Sequence, residues 1–458
     1  MLRTDWLSPL VILVMSGFGC AVIYSATTNS VTPFWSQQLV FLGIGWVAYF
    51  FVAMLDYEQI RRHARLIFLL GLGLLLPVAL SAIFKKDFGT IIKSVNGARR
   101  WIDVGPVKIQ PSEFAKVTTL VMLAAVLNTV QTWDWRRIRR DWSAASRGSA
   151  RPGSFGWLTA LPQVRVAVVA LLPIGLIFVQ PDLKSCIVYL PMLAALLYVS
   201  RVSLRFFAVL VASTVLIAGV IGWDIAGYAS HLESHQAELG DRSDFARKVH
   251  EIDPYEKKSM LFLLKDYQRE RILSFVRPDL IDPTGTGTSW NVKQAIIATG
   301  RGGMYGTGWR QGLQAKLGFM PELAAHNDFV FSSFAEEFGF VGGAVLLAAY
   351  ALLIGNALRT AARARDRFGA LLCVGAAAVL TVHVVVNIGM NIGLMPVSGL
   401  PLPFLSYGGS FVLSCFLLLG LVQSVHRYSR ELPPRSGSGS EISTNALKDM
   451  RKTAATSA

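Results

Sequence analysis

Charged residues are scarce in this sequence. Only 16% of its 458 residues are Asp, Glu, Lys or Arg, whereas 53% are hydrophobic. Soluble domains typically carry about 25% charged residues, so the composition excludes an ordinary soluble enzyme of this length. Acidic residues are the rarer sign, with 29 against 44 basic residues. This balance favours a membrane protein.

Cysteine is also rare. The four cysteines, Cys20, Cys186, Cys373 and Cys415, all fall inside apolar runs. Their spacing matches neither a metal site nor a disulfide framework. We interpret the cysteines as packing residues. No metal site is evident in the sequence.

Long apolar runs are abundant. A transmembrane helix needs about 20 mostly apolar residues, and ten runs meet or approach this length: 7–26, 37–56, 64–84, 112–131, 164–180, 185–200, 204–224, 335–358, 368–391 and 410–425. We therefore predict an all-α polytopic membrane protein with about ten transmembrane helices. The two runs around Gln180-Pro181-Asp182 could form one broken helix, but Pro181 and its polar neighbours favour a tight turn.

Basic residues cluster in alternate connections between these runs. With the N-terminus inside, the basic stretches 61–65, 136–165, 201–205 and 359–367 all lie in the cytoplasm. Cytoplasmic loops of membrane proteins carry an excess of Lys and Arg, so both termini are predicted to be cytoplasmic. The net charge of +15 then reflects topology rather than nucleic-acid binding.

Two segments predicted to be external are too long to be simple connections, Lys85–Gln110 and Gly227–Phe334. Function is expected there, since long loops on a rigid scaffold often carry binding and catalytic residues. In the second segment, residues 231–267 indicate a helical surface, and the Gly-rich residues 284–318 indicate an irregular loop.

These observations predict one membrane domain over residues 1–435. It contains a large external loop, 227–334, between the seventh and eighth membrane helices. The Ser/Gly-rich residues 436–458 are predicted to form a disordered cytoplasmic tail.

Ionisable residues at membrane depth are the first functional candidates. Glu113 and Lys116 share one face at the start of the fourth run, where charge is costly and usually faces a cavity or a partner. We interpret them as lining a substrate cavity; the alternative is a structural ion pair. Arg99, Arg100 and Trp101 could anchor lipid headgroups or hold a pyrophosphate.

Acidic residues stand out in the second external segment. Asp279 and Asp282 precede a Gly-rich stretch, whose glycines allow close approach of the backbone to a ligand. Glu336 and Glu337 lead into the eighth membrane helix, where favourable placement near a helix start is the alternative to a functional role.

Polar residues also mark the last two membrane helices. The irregular Pro/Gly stretch 396–410 at membrane depth must be buried in protein or line a polar cavity. His383, Asn387 and Asn391 recur every four residues on one helix face, and we expect them to cross-link helices by hydrogen bonds.

Taken together, these segments resemble the SEDS family (shape, elongation, division and sporulation), its rod-shape members more than its division members. The resemblance is carried by Asn96–Trp101, Gln110–Lys116, Gln180–Leu183, Asp282-Pro283, Ala335–Gly342 and Leu402–Ser410.

The resemblance implies a peptidoglycan glycosyltransferase of the bacterial cytoplasmic membrane that uses lipid II, an undecaprenyl-pyrophosphate-linked disaccharide-pentapeptide. It also implies a class B penicillin-binding protein as partner, and Asp282 as the catalytic carboxylate. We expect substrate-binding side chains at Arg99, Arg100, Trp101, Glu113, Lys116, Asp182, His326, Asp328, Glu336, Glu337, Ser406 and Tyr407.

Three segments depart from the family pattern. Gln180–Ser185 ends in Leu-Lys-Ser where Leu-Gly-Thr is usual, Pro321–Asp328 is altered before its His-Asn-Asp, and Gly285–Ser289 lacks the usual Tyr-Gln. These changes affect loop geometry and partner contacts more than reaction class.

The chemistry of such a transfer sets its own requirements. A β-linked polymer made from an α-linked pyrophosphate donor needs attack by an acceptor hydroxyl from the opposite face. One positioned carboxylate can take the hydroxyl proton, an effect typically worth about 10²–10⁴-fold. Negative charge develops on the leaving pyrophosphate, so Arg99, Arg100, Lys116 or a divalent metal ion bound by a loop should face it.

Other functions fit the same lipid. A transporter that flips the precursor would also use a polar cavity, but it needs no large acidic loop, and the sequence lacks the paired broken helices of many transporters. A scaffold would leave all chemistry to the penicillin-binding partner. Within the family, a division-specific polymerase is the alternative.

Overall fold

The computed structural model describes residues 5–27, 32–84, 86–87, 89, 91–93, 99–105, 107–129, 162–202, 204–239, 248–249, 251, 253, 255, 266–282, 285, 289–317, 319 and 325–429. The predicted disordered tail 436–458, most of the basic stretch 136–165, the motif residues 96–98 and 321–324, and Pro283 therefore lie outside the described residues.

The described residues are mostly helical, which confirms the all-α prediction. In chain order the helices are α1 (Leu7–Ala26), α2 (Phe34–Met54), α3 (Tyr57–Arg62), α4 (Ala64–Phe84), α5 (Pro111–Thr129), α6 (Pro162–Val179), α7 (Leu183–Val199), α8 (Leu204–Leu239), α9 (Asp266–Val276), α10 (Pro278–Ile281), α11 (Trp290–Arg301), α12 (Leu313–Lys316), α13 (Val330–Ala362), α14 (Arg367–Asn391) and α15 (Gly409–Ser429).

Seven of these helices, α1, α2, α4, α8, α13, α14 and α15, are long and apolar enough to cross a membrane. The shorter helices α6 and α7 are also apolar. Helix α5 carries Glu113 and Lys116 near its start. The polytopic membrane class is confirmed, and the count of ten spans stays a prediction.

Both ends of the described chain lie at the same end of the helix bundle. Asp5 and His426 line a common cavity of about 210 Å³ together with Asn356, whose amide donates a hydrogen bond to the Asp5 carboxylate. A chain that crosses the membrane an even number of times has both ends on the same side, so this placement of the ends agrees with the ten predicted spans. We call this end of the bundle the terminal end, and the opposite end the loop end.

Helix α5 lies inside the bundle, where it packs against α4, α6, α7, α14 and α15. Most of its side chains are buried. A helix buried on all sides is normally hydrophobic all round, so Glu113 and Lys116 are exceptions that their contacts must explain.

The predicted external segments contain more regular structure than expected. Residues 102–104 and 107–109 form an antiparallel hairpin, β1 (Ile102–Val104) and β2 (Val107–Ile109), in which Ile102 pairs with Ile109. The strands turn at Gly105, whose φ of +62° is the left-handed conformation that glycine adopts without steric cost.

Residues 231–239 are helical, as predicted, but they continue α8, which extends past the predicted run 204–224 because this polar continuation contains no proline to end it. A second boundary in the external segment was predicted wrongly. Helix α11 occupies part of the stretch predicted to be irregular. Its buried residues Gln294, Ala295 and Ala298 share one face, a short amphipathic pattern that the flanking glycines obscured.

A small second core holds α9 and α10 against the outer part of α8. It includes Leu232 of α8, Leu273 of α9, and Leu280 and Ile281 of α10, all nearly inaccessible to solvent. Because Asp282 directly follows Ile281, this core fixes the position of the predicted catalytic carboxylate.

Candidate functional site

A cavity of about 460 Å³ opens at the loop end of the bundle. Its lining includes four of the predicted site residues, Trp101, Glu113, Asp328 and Tyr407. They come from the hairpin segment, the start of α5, the residues before α13 and the connection between α14 and α15. The fold thus brings four distant segments to one concave surface.

The Glu113–Lys116 pair lies at the inner wall of this cavity. The Lys116 ammonium is 2.7 Å from Oε2 of Glu113, and the two side chains are only 2% and 3% exposed. Glu113 lines the cavity and also accepts a hydrogen bond of 3.4 Å from the Ser414 hydroxyl. Lys116 lies one helical turn deeper.

His383 gives Lys116 a second partner and has a defined tautomer. Its Nδ1 atom lies 3.0 Å from the carbonyl oxygen of Pro401, which can only accept, so Nδ1 carries the proton. The Nε2 atom, 3.3 Å from Lys116 Nζ, therefore accepts from the ammonium.

The predicted cross-linking by the polar face of α14 is confirmed. The Asn387 amide donates to the carbonyl oxygens of Asp328 (2.9 Å) and Leu400 (2.7 Å). Asn391 also donates to Asp328 O, at 3.1 Å. These bonds hold the segment before α13 and the connection after α14 against one helix.

Asp182 joins the starts of α5 and α7. Its Oδ2 atom accepts hydrogen bonds from Gln110 Nε2 (3.0 Å), Ser112 Oγ (3.0 Å) and Ser185 Oγ (2.8 Å). Burial alone would raise the pKa of this carboxyl group, but Lys184, the Arg100 guanidinium and the serine hydroxyls outweigh it and lower the pKa. Asp182 is fully buried and does not line the cavity.

The three residues Arg99, Arg100 and Trp101 face different surroundings. Arg99 Nε donates to Asp87 Oδ1 at 2.8 Å, and the Arg100 guanidinium donates to the carbonyl oxygen of Pro181. Arg100 also lines a neighbouring cavity of about 220 Å³. Only Trp101 of the three lines the larger cavity.

Lys184 is a site residue that we did not select from the sequence. It lines both cavities, and its ammonium donates to the carbonyl oxygen of Gly399 at 3.2 Å. Lys108 of β2 is a second cation at the larger cavity. A signal for Lys184 existed, because it occupies a position where the sequence departs from the family pattern.

The structure brings together three of the predicted binding residues, His326, Ser406 and Tyr407. The Tyr407 backbone N–H donates to His326 O (2.9 Å), and the Ser406 hydroxyl donates to Asn327 O (2.6 Å). The buried His326 ring stacks on Phe34 with 4.4 Å between ring centroids. This network ties the residues before α13 to the turn before α15.

Glu336 and Glu337 lie away from the cavity, against the loop between α11 and α12. Glu336 Oε1 accepts from the Leu313 backbone N–H at 2.8 Å, and Glu337 Oε1 accepts from that of Arg310 at 3.1 Å. Glu337 also accepts a hydrogen bond from the Ser25 hydroxyl.

Gly302 and Gly306 of this loop pack closely against the backbone of α13. A Cβ atom at Gly306, where φ is +84°, would lie 2.1 Å from the carbonyl oxygen of Glu337. Gly339 breaks α13 with a φ of +67°, and a Cβ there would lie 2.3 Å from Gly306 N. At Gly306 and Gly339 the close approach is thus between the loop and α13 rather than to a ligand.

Asp282 is buried but does not line the 460 Å³ cavity. Its Oδ2 atom accepts hydrogen bonds from the Ser289 backbone N–H (3.1 Å) and hydroxyl (2.6 Å). Asp279, its neighbour in sequence, is exposed and lies 3.9 Å from Arg277. The predicted catalytic carboxylate is therefore not part of the cavity wall that Trp101, Glu113, Asp328 and Tyr407 form.

Metal ligands do not cluster in the described part of the chain. No group of three or more His, Cys, Asp or Glu side chains there could hold a metal ion. The four cysteines are free thiols inside helices.

Comparison with known proteins gives consistent matches. The family model for FtsW, RodA and SpoVE, described as cell cycle protein, matches residues 5–239 and 256–431. The peptidoglycan glycosyltransferase RodA of Treponema pallidum is 31% identical over 92% of this chain and 97% of its own. The peptidoglycan glycosyltransferase MrdB of Escherichia coli is 32% identical over 92% of this chain and 93% of its own.

A solved structure has the same fold. A chain from a study of how a peptidoglycan synthase complex coordinates polymerization and crosslinking matches with a TM-score of 0.64 and 27% identity, covering 94% of this chain and 100% of that one. Because the family model spans most of the sequence and the relatives match over nearly their whole length, the chain belongs to the FtsW, RodA and SpoVE family, which is the SEDS family.

Proposed function

We propose that this chain is a peptidoglycan glycosyltransferase that polymerises lipid II into glycan strands for cell elongation and shape. The observation that carries the proposal is the 460 Å³ cavity, which combines carboxylates, amines and aromatic rings at one end of a membrane bundle. A lipid-linked sugar pyrophosphate needs these groups together. The curated relatives named above carry the same activity in their names.

The cations at the cavity suit the leaving group. Lys184 and Lys108 line its wall, and Lys116 lies one turn behind Glu113. When the bond to the sugar breaks, negative charge develops on the pyrophosphate, and ammonium groups fixed in a partly desolvated cavity stabilise it. Trp101 and Tyr407 offer aromatic surface to a sugar or to the first part of the lipid.

Asp282 is the proposed general base. Its carboxylate is oriented by two donors from Ser289 and would take the proton of the acceptor hydroxyl. General-base catalysis requires hydrogen-bond reach, and catalytic contacts are often long before substrate binds. The proposal therefore requires that the Asp282 carboxylate comes within hydrogen-bond reach of the acceptor hydroxyl once substrate is bound.

The proposed setting is the outer face of the bacterial cytoplasmic membrane, with the loop end outside and both termini in the cytoplasm. The basic loops at the terminal end support this orientation. We propose residues 1–435 as the membrane domain, with 227–334 as its external loop and 436–458 as a cytoplasmic tail. A class B penicillin-binding protein is the proposed partner, since the matching solved structure comes from a peptidoglycan synthase complex.

Purified full-length protein incubated with lipid II tests the activity. We expect glycan polymer on a gel, with the yield increased by the penicillin-binding partner. The same protein in liposomes separates the rival function: translocation of lipid II without polymer would identify a flippase. If neither polymer nor translocation is observed, a scaffold function is the remaining explanation.

A further inference from the structure

A larger cavity of about 940 Å³ lies at the terminal end of the bundle, remote from the proposed active site. It is bounded by α3, α4, α5 and α6. Four arginines from three of these helices converge on it: Arg61, Arg62, Arg65 and Arg165. No step of glycosyl transfer at the loop end uses these residues.

Little negative charge compensates Arg62 and Arg65 in the described part of the chain. Arg61 forms an ion pair with Glu58. Within the described ranges, no carboxylate lies within ion-pair distance of Arg62 or Arg65, and both side chains are exposed. The cavity therefore attracts an anion, and the planar guanidinium groups suit a phosphate in particular.

Apart from Thr129, the rest of the cavity wall is apolar. Met122, Ala125 and Val126 of α5 face Val168 and Val169 of α6 across it. The α5 wall extends seven residues inward from the end of the helix, or about 10 Å at 1.5 Å per residue. Val168 is 49% exposed, and Leu172, one turn further along α6, is 44% exposed, so exposed apolar surface continues along this helix from the cavity.

We propose that this cavity binds one anionic phospholipid of the inner leaflet. The phosphate would contact the arginines, and the acyl chains would lie along the apolar wall of α5 and α6. Basic pockets between membrane helices on the cytoplasmic side bind acidic headgroups in this way. A free phosphate would leave the 10 Å apolar wall without a partner.

Charge also argues against the chain's own connection as the occupant. Residues 130–161 join α5 to α6 and lie outside the described residues. They contain six arginines and only two aspartates, so they would add positive charge to a cavity that is already basic. The proposal does not depend on the proposed glycosyltransferase activity.

Native mass spectrometry of the full-length protein tests this site. Detergent micelles would contain equal amounts of phosphatidylglycerol and phosphatidylethanolamine, which share a phosphate but differ in net charge. The site variant is Arg62→Gln/Arg65→Gln/Arg165→Gln. Its matched control, Arg359→Gln/Arg363→Gln/Arg427→Gln, removes the same charge from the same end of the bundle.

We expect the unaltered protein and the control variant to retain phosphatidylglycerol at least tenfold better than phosphatidylethanolamine. The site variant should lose that preference. Ala125→Trp, which fills the apolar wall without changing charge, should also reduce retention. Thermal stability measured for each variant separates lost binding from lost folding.

Three outcomes would overturn the proposal. Equal retention of the two lipids would remove the selectivity for an anion, and equal losses in the site and control variants would reduce the effect to general attraction. Displacement of phosphatidylglycerol by millimolar inorganic phosphate, with Ala125→Trp unaffected, would identify a free-phosphate site instead.

Discussion

The ammonium group of Lys116 lies 2.7 Å from the carboxylate of Glu113, inside a membrane helix bundle where both side chains are almost inaccessible to solvent. Breaking a buried ion pair leaves an uncompensated charge, at a cost of about 3–5 kcal/mol. Loss of activity in a variant that lacks only one of the two charges would therefore not show whether substrate binding or folding is impaired. A variant that lacks both charges leaves no unpaired charge and separates the two effects.

The first prediction compares Lys116→Met with Glu113→Gln/Lys116→Met. The single variant should lose both thermal stability and lipid II polymerisation. The double variant should regain most of the stability, because no charge is left unpaired. It should still polymerise at least about tenfold more slowly, because the cavity has lost this charged pair. Recovery of full activity in the double variant would show that the pair is structural only.

The second prediction concerns Asp182, which holds the starts of α5 and α7. Asp182→Asn replaces a carboxylate that accepts three hydrogen bonds with an amide that can accept fewer and adds donors. Hydrogen bonds to a charged group contribute about 1.5–3 kcal/mol, so we expect a loss of about 3 kcal/mol in unfolding free energy.

The pH dependence of that loss follows from the lowered pKa of Asp182 in the folded protein. The stabilisation is fully present above the unfolded-state pKa of about 3.9 and disappears as the pH falls through the lower folded-state value. The difference in unfolding free energy between the unaltered protein and Asp182→Asn should be constant from pH 5 to 8, because this range lies at least about one pH unit above the unfolded-state pKa. The difference should narrow only in stronger acid. A gap that changes near pH 7 would contradict this explanation.

The third prediction tests the glycine contacts between α13 and the loop after α11. Gly339→Ala adds a Cβ atom at positive φ against Gly306 N, so it should destabilise the protein by about 2 kcal/mol or more. Gly355→Ala, in the same helix, meets open space and should be neutral or stabilising by up to about 1 kcal/mol. Thermal unfolding in one detergent measures both, and equal effects would refute the packing role.

Much of this fold could be predicted from the sequence. Unsatisfied backbone groups and unpaired charges are costly in lipid, so membrane helices appear as long apolar runs and their few polar residues have partners. The boundaries of α1 and α4 were predicted to the residue, and those of the other long helices except α8 and α13 were placed within four residues. Polar residues inside apolar runs, such as Glu113, His383 and Asn387, were predicted to face partners for the same reason, and they do.

Other features carried no local signal. Arg269 is fully buried with its Nε atom 2.8 Å from Asp224 Oδ2, yet these residues are 45 positions apart and follow no periodic pattern. The hairpin around Gly105 has strands of only three residues. The departure from the family pattern at Lys184 could be seen in the sequence, but that its side chain lines two cavities depends on how α7 packs against the α14–α15 connection.

The fourth prediction is the membrane orientation. In a cysteine-free background, Asp279→Cys should react with a membrane-impermeant maleimide on intact spheroplasts. Arg363→Cys should react only after permeabilisation, because it lies at the terminal end. Both positions are exposed in the structure, so accessibility alone does not separate them. The reverse pattern of labelling would invert the proposed topology.

The remaining question is whether Asp282 acts as a base or only holds its turn. Asp282→Asn keeps the shape of the side chain and its place beside Ser289 but removes basicity. A residue that only caps a turn tolerates this change, since Asn is an equally good turn residue. Asp279→Asn, three residues earlier and exposed, is the matched control.

The decisive measurement is the rate of lipid II polymerisation by purified Asp282→Asn and Asp279→Asn proteins, compared with the unaltered protein at equal thermal stability. Loss of a general base should slow Asp282→Asn by at least about 10²-fold and leave Asp279→Asn nearly unchanged. A folded Asp282→Asn protein with full polymerase activity would contradict the proposed mechanism.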